Sequence, residues 1–310
     1  MSTFAQRRDP YQAVTGLILE QLERCPWQRE VGIPRNFLSG KPYSGVNVLL
    51  LGFRHRPSPW WLTFQQVLER GGNVRKGEKG STVVKCGKFK PKSDLAGNTP
   101  AESGSEGGDP RLKTKMFLRE YTVFNATQIE GIEFPAATSQ PVLNESQRIA
   151  AAGQIVAAMP NRPLIFEGER TRAFYTPATD TIHMPAFGSF ESAEAYHLTL
   201  FHEVVHACGH PSRLNRESLT KHDEFGGPVY SQEELVAEIG SAFLGMEADI
   251  VRDQHEQSAA YLQGWLQVLR AKEHKRWIVS AASQATKAAD YVLNRQSVVE
   301  TGSTEAMMTA

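Results

Sequence analysis

Long hydrophobic runs are absent from this 310-residue sequence, and no stretch approaches the roughly 18 apolar residues that a membrane-spanning helix requires. The opening residues, MSTFAQRRDPYQ, lack the apolar segment of a signal peptide, so secretion is not expected. Hydrophobic residues make up 40% of the chain and charged residues 22%, which is typical of a soluble globular protein. These features predict a protein without a membrane partner.

Cysteine is scarce, and the chain contains three, Cys25, Cys86 and Cys208. Their odd number and wide spacing argue against a disulfide framework and favour a reducing cytoplasm as the location. No CxxC pair occurs, which excludes a cysteine-based zinc finger. Neither GKS nor GKT occurs, and no GxGxxG follows a strand, so nucleotide hydrolysis has no support in the sequence.

Net charge is zero, but the charges are unevenly divided. Residues 1–130 carry 20 Lys/Arg and 12 Asp/Glu, a balance of +8, while the remainder carries 14 and 22, a balance of −8. The basic half is a candidate for binding a polyanion such as nucleic acid, although solvated surface charge would give the same pattern.

The pattern of predicted elements favours an α+β protein with two domains. The first is a mixed α/β domain over residues 1–132, and the second, residues 145–296, is mostly helical with a small β-sheet. Residues 133–144 are predicted to be a linker and 297–310 a flexible tail. Residues 91–110, poor in apolar groups and rich in Gly, Ser and Pro, are expected to form a disordered loop.

Periodicity places the individual elements. Helices are predicted at residues 11–24, 63–70, 145–158, 192–208, 232–247, 257–271 and 275–293. Strands are predicted at residues 82–85, 117–124, 164–166, 173–176 and 181–184.

The segment FHEVVHACGH contains an HExxH motif formed by His202, Glu203 and His206. Histidines at i and i+4 project from one face of a helix, a spacing that suits two corners of a zinc tetrahedron. The glutamate between them can act as the general base on a water molecule beside the metal. The alternative is a pair of helix histidines satisfied by ordinary hydrogen bonds.

The classes of zinc peptidase differ in the residue that supplies the third metal ligand. A histidine ten residues after His202 is needed in one class, but Ser212 stands there. His210 cannot join His202 on one ion, because eight residues of continued helix would separate them by roughly 12 Å. A following helix offers Glu234 as a ligand and Glu238, one turn later, as the residue that orients a ligand histidine.

Other polar groups near the motif have weaker predictions. Glu233 is expected to be solvated, and Cys208 to be a core thiol without a role. Tyr230 is a candidate for stabilising an oxyanion, with His210, His222 and Arg213 as alternatives for that task. The strand at residues 181–184 is a candidate for pairing with an extended substrate.

The first half alternates cations with aromatics, a combination that holds single-stranded nucleic acid by contacts to phosphates and stacking on bases. Core packing is the competing explanation for each aromatic residue. The candidate DNA-binding residues are Arg35, Lys41, Tyr43, Trp60, Trp61, Arg75, Lys76 and Lys79.

Longer segments resemble a known family. PRNFLSGKPYSGVNVLLL, WLTFQQVLERGGNVRKGEKGSTVV and FLREYTVFNATQIEG resemble the N-terminal domain of ArdC-type antirestriction proteins, which also begins TraC-type plasmid primases. LTLFHEVVHACGHPSRLNR, SQEELVAEIGSAFL and AASQATKAADYVL resemble the metallopeptidase domain that follows it in ArdC. Two unrelated domains match in the family's order, over nearly the whole chain.

The resemblance implies single-stranded DNA binding by the first domain and a zincin fold with one Zn²⁺ in the second. It also implies a protein of conjugative plasmids that helps incoming DNA escape restriction. The family's metal-site pattern matches His202, Glu203, His206 and Glu234, but Glu238 stands where related zincins frequently have Asp or Asn. Residues 91–110 form a longer insert than is usual.

Three functions remain open from the sequence. The leading hypothesis is a DNA-binding zinc metallopeptidase that cuts a protein associated with DNA or restriction. The second is a DNA-binding protein with a structural or vestigial metal site. The third is an accessory module for plasmid priming or conjugation.

Overall fold

The computed structural model describes residues 10–24, 32–89, 115–135, 143–168, 171–220, 228–250 and 277–295. The predicted loop at 91–110, the helix at 257–271 and the tail from residue 297 lie outside these ranges. Within the described ranges, no helix combines the length and the apolar character needed to cross a membrane.

The first module, residues 10–135, is built on a four-stranded sheet with the order β1-β2-β5-β4 and a two-stranded sheet, β3-β6. Strands β1 and β2 run parallel, and the other pairs are antiparallel. The long β4–β5 hairpin confirms the predicted returning strand. The elements are α1 (Pro10–Arg24), β1 (Arg35–Asn36), α2 (Val46–Gly52), β2 (Trp60–Thr63), α3 (Phe64–Glu69), β3 (Asn73–Val74), β4 (Ser81–Phe89), β5 (Lys115–Asn125) and β6 (Ile129–Glu130).

The second module, residues 143–295, places helices against a three-stranded sheet with the order β7-β9-β8. Strand β9 runs parallel to β7 and antiparallel to β8. The mixed α/β architecture expected from the sequence is confirmed. The elements are α4 (Glu145–Ala157), β7 (Leu164–Gly168), β8 (Phe174–Thr176), β9 (Thr181–Pro185), α5 (Ala193–Cys208), α6 (Glu217–Thr220), α7 (Pro228–Ala248) and α8 (Trp277–Val292).

The structure corrects two predictions about these elements. Strand β9 cannot offer an edge to an extended substrate, because both of its sides are occupied by β7 and β8. The edge strands are therefore β7 and β8. The helix predicted at 232–247 begins earlier, at Pro228, because proline fits the first turn of a helix and does not stop it there.

The apolar run at residues 46–51 forms helix α2, with Val46, Val48 and Leu49 among its buried residues. The side chain of Asn47 fastens this helix to β4. Its amide donates to the carbonyl oxygen of Val84 and its oxygen accepts from the Val84 N–H, both at 2.8 Å. The Asn47 side chain thus makes the pair of backbone hydrogen bonds that a neighbouring strand would otherwise make with Val84.

A continuous core joins the two modules. Ile18 of α1, Leu49 of α2, Phe201 of α5 and Ala285 of α8 are all fully buried members of one cluster. Helix α8 contacts α1, α2, α5 and α7. Across this junction the N–H of Gly45 donates to Oγ1 of Thr286 at 2.9 Å. The metal-site helices are thereby packed, through α8, against the helices of the first module.

Candidate metal centre and basic surface

Helices α5 and α7 bring three possible metal ligands together. The Nε2 atoms of His202 and His206 lie 3.0 Å apart. The carboxylate of Glu234 lies 3.4 Å from Nε2 of His202 and 3.5 Å from Nε2 of His206. Two ligand atoms of one tetrahedral zinc ion are about 3.3 Å apart, given bonds of about 2.0–2.1 Å. The donor set and its spacing therefore fit a tetrahedral divalent ion, and this trio is the metal-capable group within the described residues.

Each histidine is oriented by a second carboxylate on α7. Nδ1 of His202 lies 3.1 Å from Glu238, and Nδ1 of His206 lies 3.1 Å from Glu233. A carboxylate that accepts the Nδ1 proton leaves the Nε2 lone pair free to face a metal. The two carboxylates therefore favour the ring orientation, and on metal binding the tautomer, that ligation requires.

Glu233 is buried rather than solvated, which corrects the sequence-based expectation. It is only 5% exposed. Nε of buried Arg216 donates to its carboxylate at 2.8 Å, and Ser218 also donates to it. Burial would raise the pKa of Glu233, but the hydrogen bonds from His206 and Arg216 hold it at about 2. Glu233 is therefore an ionised residue that positions His206.

The sequence analysis missed Arg216, which covers the face of α7 that Glu233 occupies. Its NH2 group also donates to the carbonyl oxygen of Val205, at 2.8 Å, and so links α5 to α7. The available signal was weak, because Arg216 is one of two arginines in the polar stretch after the HExxH helix. Its partner could be found only from the three-dimensional path of the chain.

The charges of the histidines and carboxylates in this centre support one another. Burial alone would lower the pKa of His202, but hydrogen bonds to Glu234 and Glu238 raise it to about 10. Burial would raise the pKa of Glu234, but the two histidines hold it well below its ordinary range. The carboxylates thus stabilise positive charge at the point where a metal ion would lie.

Glu203, the residue between the two histidines, is buried beside them and only 7% exposed. Burial raises the pKa of its carboxyl group, although the positive histidines act against this. The backbone of Tyr175 on β8 lies near enough to this carboxylate to lower its pKa slightly. Strand β8, an edge strand of the sheet, therefore passes beside Glu203.

A buried ion pair fixes β8 and its turn to the end of α5. The side chain of Arg213 is fully buried and paired with Asp180. It also donates to the Ala207 carbonyl oxygen at 2.7 Å, while the Tyr175 hydroxyl donates to Asp180 at 2.8 Å. Arg213 therefore has structural partners that occupy it, which argues against the oxyanion role considered for it.

The other candidates for oxyanion stabilisation remain predictions. Nδ1 of His210 lies 2.8 Å from the Ser212 hydroxyl. Tyr230 belongs to α7, but its side chain lies outside the described residues, as does His222 entirely. Cys208 is a buried free thiol whose pKa is raised to about 12 by burial. This low reactivity agrees with a core role.

The predicted DNA-binding aromatics are placed differently from the expectation. Trp61 is 1% exposed and packs with Leu51, Val83 and Val123, so it cannot stack on a base without unfolding β2. Tyr43 packs against the same cluster, and burial raises its pKa. Trp60 is half-buried, with its indole Nε1 out of contact with solvent. Trp61, at least, is a core residue.

The predicted cations lie at the surface. Lys41 is exposed, and Arg35 is half-buried with a hydrogen bond to the Gly40 carbonyl oxygen at 3.2 Å. Arg75, Lys76 and Lys79 are exposed in residues 75–80, named here the basic loop. Arg75 is held by Glu78 at 3.2 Å and by the Thr127 carbonyl oxygen. The basic loop is thus available to a polyanion.

Comparison with known proteins identifies both modules. Residues 8–124 match the family described as the N-terminal domain of anti-restriction factor ArdC. Residues 152–284 match the family described as zincin-like metallopeptidase. The chain is 37% identical over 305 residues to a DNA primase TraC of Escherichia coli, which covers 93% of this chain but 27% of that protein. The chain thus spans about a quarter of the length of that relative.

Two further relatives match along their length. An uncharacterised protein, y4eC of Sinorhizobium fredii, is 32% identical over 302 residues, which is 93% of each protein. The crystal structure of metal-free antirestriction protein ArdC from plasmid R388 superposes with a TM-score of 0.69 at 35% identity, over 93% of this chain and 99% of that one. A Mn(II)-bound structure of the same protein has a TM-score of 0.66 at 35% identity, over 92% and 97%.

A zincin-like domain implies a divalent metal ion, and the His202–His206–Glu234 geometry fits one. The order of the two matched domains, the near-complete coverage and the shared fold agree with one another. The chain belongs to the ArdC family of antirestriction proteins, with a zincin-like second domain.

Proposed function

We propose that this chain is a zinc-dependent peptidase that binds single-stranded DNA and protects incoming plasmid DNA by cutting a protein associated with it. The observation that carries the peptidase assignment is the placement of Glu203. A purely structural metal site has no need of a further buried carboxylate beside its ligands, yet the buried carboxylate of Glu203 lies beside His202 and His206.

The donor set of two imidazoles and one carboxylate suits Zn²⁺ and also admits other divalent ions such as Mn²⁺. A metal bound by His202, His206 and Glu234 would supply Lewis-acid activation of water and polarisation of the scissile carbonyl. Glu203 accepts the proton of the attacking water and delivers it to the departing amine. Burial shifts the pKa of Glu203 upward, towards the working pH, which suits a group that must first accept a proton and then donate it.

The free edge of β8 is the place for an extended substrate. The backbone of Tyr175 on this three-residue edge strand lies near Glu203, so a peptide that pairs with the edge passes beside the general base. Backbone pairing gives affinity without strong sequence preference. This assignment replaces β9, whose two edges are already paired.

DNA binding is assigned to the first module because its exposed cations gather in the basic loop. The loop is narrow and glycine-containing, with Gly77 at φ 88°, which lets backbone N–H groups approach a phosphate. Tethering of this kind would bring the peptidase to proteins assembled on single strands. The name of one relative, DNA primase TraC, agrees with an association with DNA.

A Glu203→Gln variant tests the peptidase assignment. Restriction-endonuclease subunits and other DNA-bound proteins are incubated with metal-loaded protein, with and without single-stranded DNA, and metal content is quantified. The wild-type chain should cleave, with stimulation by DNA, and the variant should bind metal equally but not cleave. Absence of cleavage by the metal-loaded wild type, with DNA affinity intact, would favour protection by coating the DNA.

A further inference from the structure

An exposed apolar pair lies on α3. Phe64 keeps 51% of its surface exposed and Leu68 keeps 47%. The two residues are four positions apart and so share one face of the helix. The ring of Phe64 contacts the ring of Phe124 on β5, with centroids 6.2 Å apart and planes at 60°. A ring that is supported on one side and open on the other is a preformed surface for stacking.

The basic loop reaches the same aromatic pair. Gly80 lies so close to β5 that an added Cβ atom would come within 2.2 Å of Thr122 and 3.1 Å of the Phe124 ring. A residue with a side chain would push the loop away, so glycine is required for this approach. The exposed cation Lys79 directly precedes Gly80. The backbone of the basic loop next to Lys79 is therefore packed against Phe124, the ring that contacts Phe64.

Buried hydrogen bonds hold the basic loop in this position. The amide of Gln128, a fully buried residue, donates to the Lys79 carbonyl oxygen and to the Glu78 carboxylate, both at 2.9 Å. The Arg75 N–H donates to the Gln128 carbonyl oxygen at 3.0 Å. Glu78, the one acid in the loop, also pairs with Arg56 at 3.8 Å. A loop fixed in advance loses less entropy when it binds a ligand.

We infer that Phe64 and the basic loop form a stacking subsite, in which the Phe64 ring packs on an unpaired base while Lys76 and Lys79 contact the neighbouring phosphates. Aromatic faces beside cations match the alternating bases and phosphates of a single strand. A duplex keeps its base faces covered, and an apolar protein partner would leave the cations without a counterpart. This inference rests on the DNA binding in the proposed function. It assigns the aromatic ring that stacks on a base to Phe64 in place of Trp61.

The test compares two strands of equal length and charge, oligo(dT) and an abasic strand, by fluorescence anisotropy with the full chain. Phe64→Ala should weaken binding to oligo(dT) about tenfold, the scale of one base stack. It should leave binding to the abasic strand unchanged, because no base is present to stack. The salt dependence should also be unchanged, since the substitution removes no cation. Phe64→Leu, which keeps apolar bulk but removes the ring, should behave like Phe64→Ala.

Tyr121→Ala is the matched control. Tyr121 is 36% exposed on the same strand as Phe124 but, three residues away, on the opposite face of the sheet. This variant should bind both strands as the wild type does. Lys76→Ala combined with Lys79→Ala should weaken binding to both strands and reduce the salt slope by about 1.4, or about 0.7 for each phosphate that is no longer neutralised.

The outcomes separate the subsite from the proposed function. Wild-type affinity for oligo(dT) that Phe64→Ala does not change would overturn the stacking subsite and leave DNA binding standing. Failure of the wild type to bind oligo(dT) would overturn DNA binding itself. A change in self-association without a change in oligo(dT) affinity would assign the exposed pair to contact with a second copy, and would overturn the subsite as well.

Discussion

Glu233 and His206 are joined by a buried hydrogen bond of 3.1 Å, and Arg216 binds the same carboxylate from the other side. These contacts make Glu233 a link between α5 and α7. The neighbouring Glu234 instead faces the position where a metal ion would lie. Adjacent glutamates on one helix thus have different tasks. One is placed to bind the ion, and the other fixes a histidine that binds it.

We expect Glu233→Gln to weaken metal binding about 10- to 100-fold, because the amide fixes the His206 ring less firmly than a carboxylate does. It should also destabilise the fold, since Arg216 would be left buried without a negative partner. Competition with a chromophoric chelator measures the affinity. Glu247→Gln is the control on the same helix, because Glu247 pairs at the surface with Arg295 at 2.7 Å. Equal metal affinity in wild type and Glu233→Gln would refute the anchoring role.

Metal should stabilise the whole chain in one transition. Excess Zn²⁺ at about 100 times the dissociation constant should add about 2.7 kcal/mol to the free energy of unfolding. Because the modules share a core, the unfolding transition followed by tryptophan fluorescence should shift together with that followed by far-UV circular dichroism. The first module contributes Trp60 and Trp61 to this fluorescence. Glu234→Ala should abolish the shift. Two separate transitions, with only the later one sensitive to metal, would argue against a shared core in solution.

The Arg213–Asp180 pair should give an acid-sensitive contribution to stability. Burial would raise the pKa of Asp180, but its hydrogen bond from Arg213 lowers it below 3.8. The pair's stabilisation is therefore present above pH 3.8 and is lost as the pH falls through the lower pKa of the folded state. Asp180→Asn should cost about 2 kcal/mol at pH 7, less than a fully buried pair because Asp180 is partly exposed.

Urea unfolding of wild type and Asp180→Asn at pH 7 and pH 3 measures this effect. The difference in free energy of unfolding should shrink at pH 3, because this pH lies below the ordinary aspartate pKa of 3.8 and the unfolded wild-type carboxyl then binds a proton. A difference that stays constant with pH would mean that the charge of Asp180 contributes nothing. Arg148 and Glu194 form a pair at 3.4 Å whose arginine is 29% exposed, whereas Arg213 is fully buried, so Glu194→Gln is a control with a smaller expected effect.

The grouping of the three candidate metal ligands could be predicted because their geometry is local. Histidines at i and i+4 share a helix face wherever the helix lies, and Glu234 belongs to the following helix pattern. The role of Glu233 could not be predicted, since it depends on Arg216, 17 residues earlier in the chain. Sequence spacing says which residues share a face but not which segment covers that face.

The aromatic residues of the first module also show that the sequence alone does not say which side chains other segments cover. Trp61 and Phe64 are three residues apart, and composition treats both as candidates for core or surface. The sheet decides between them, because Trp61 lies within β2 against Val123 and Phe64 begins a helix at its end. Likewise, the continuous apolar run of α2 carries no period that separates a buried helix from a buried strand.

The hydrogen bond between Gly45 and Thr286 has a consequence for the evolution of this two-domain protein. Helix α8 comes late in the chain yet covers α1 and α2, so a gene break between the modules would leave apolar surface bare on both products. Recombination is expected to transfer the pair intact. The alignment with the E. coli primase agrees, because it extends over 93% of this chain and not over the first module alone. In that longer relative the counterparts of both domains therefore occur together.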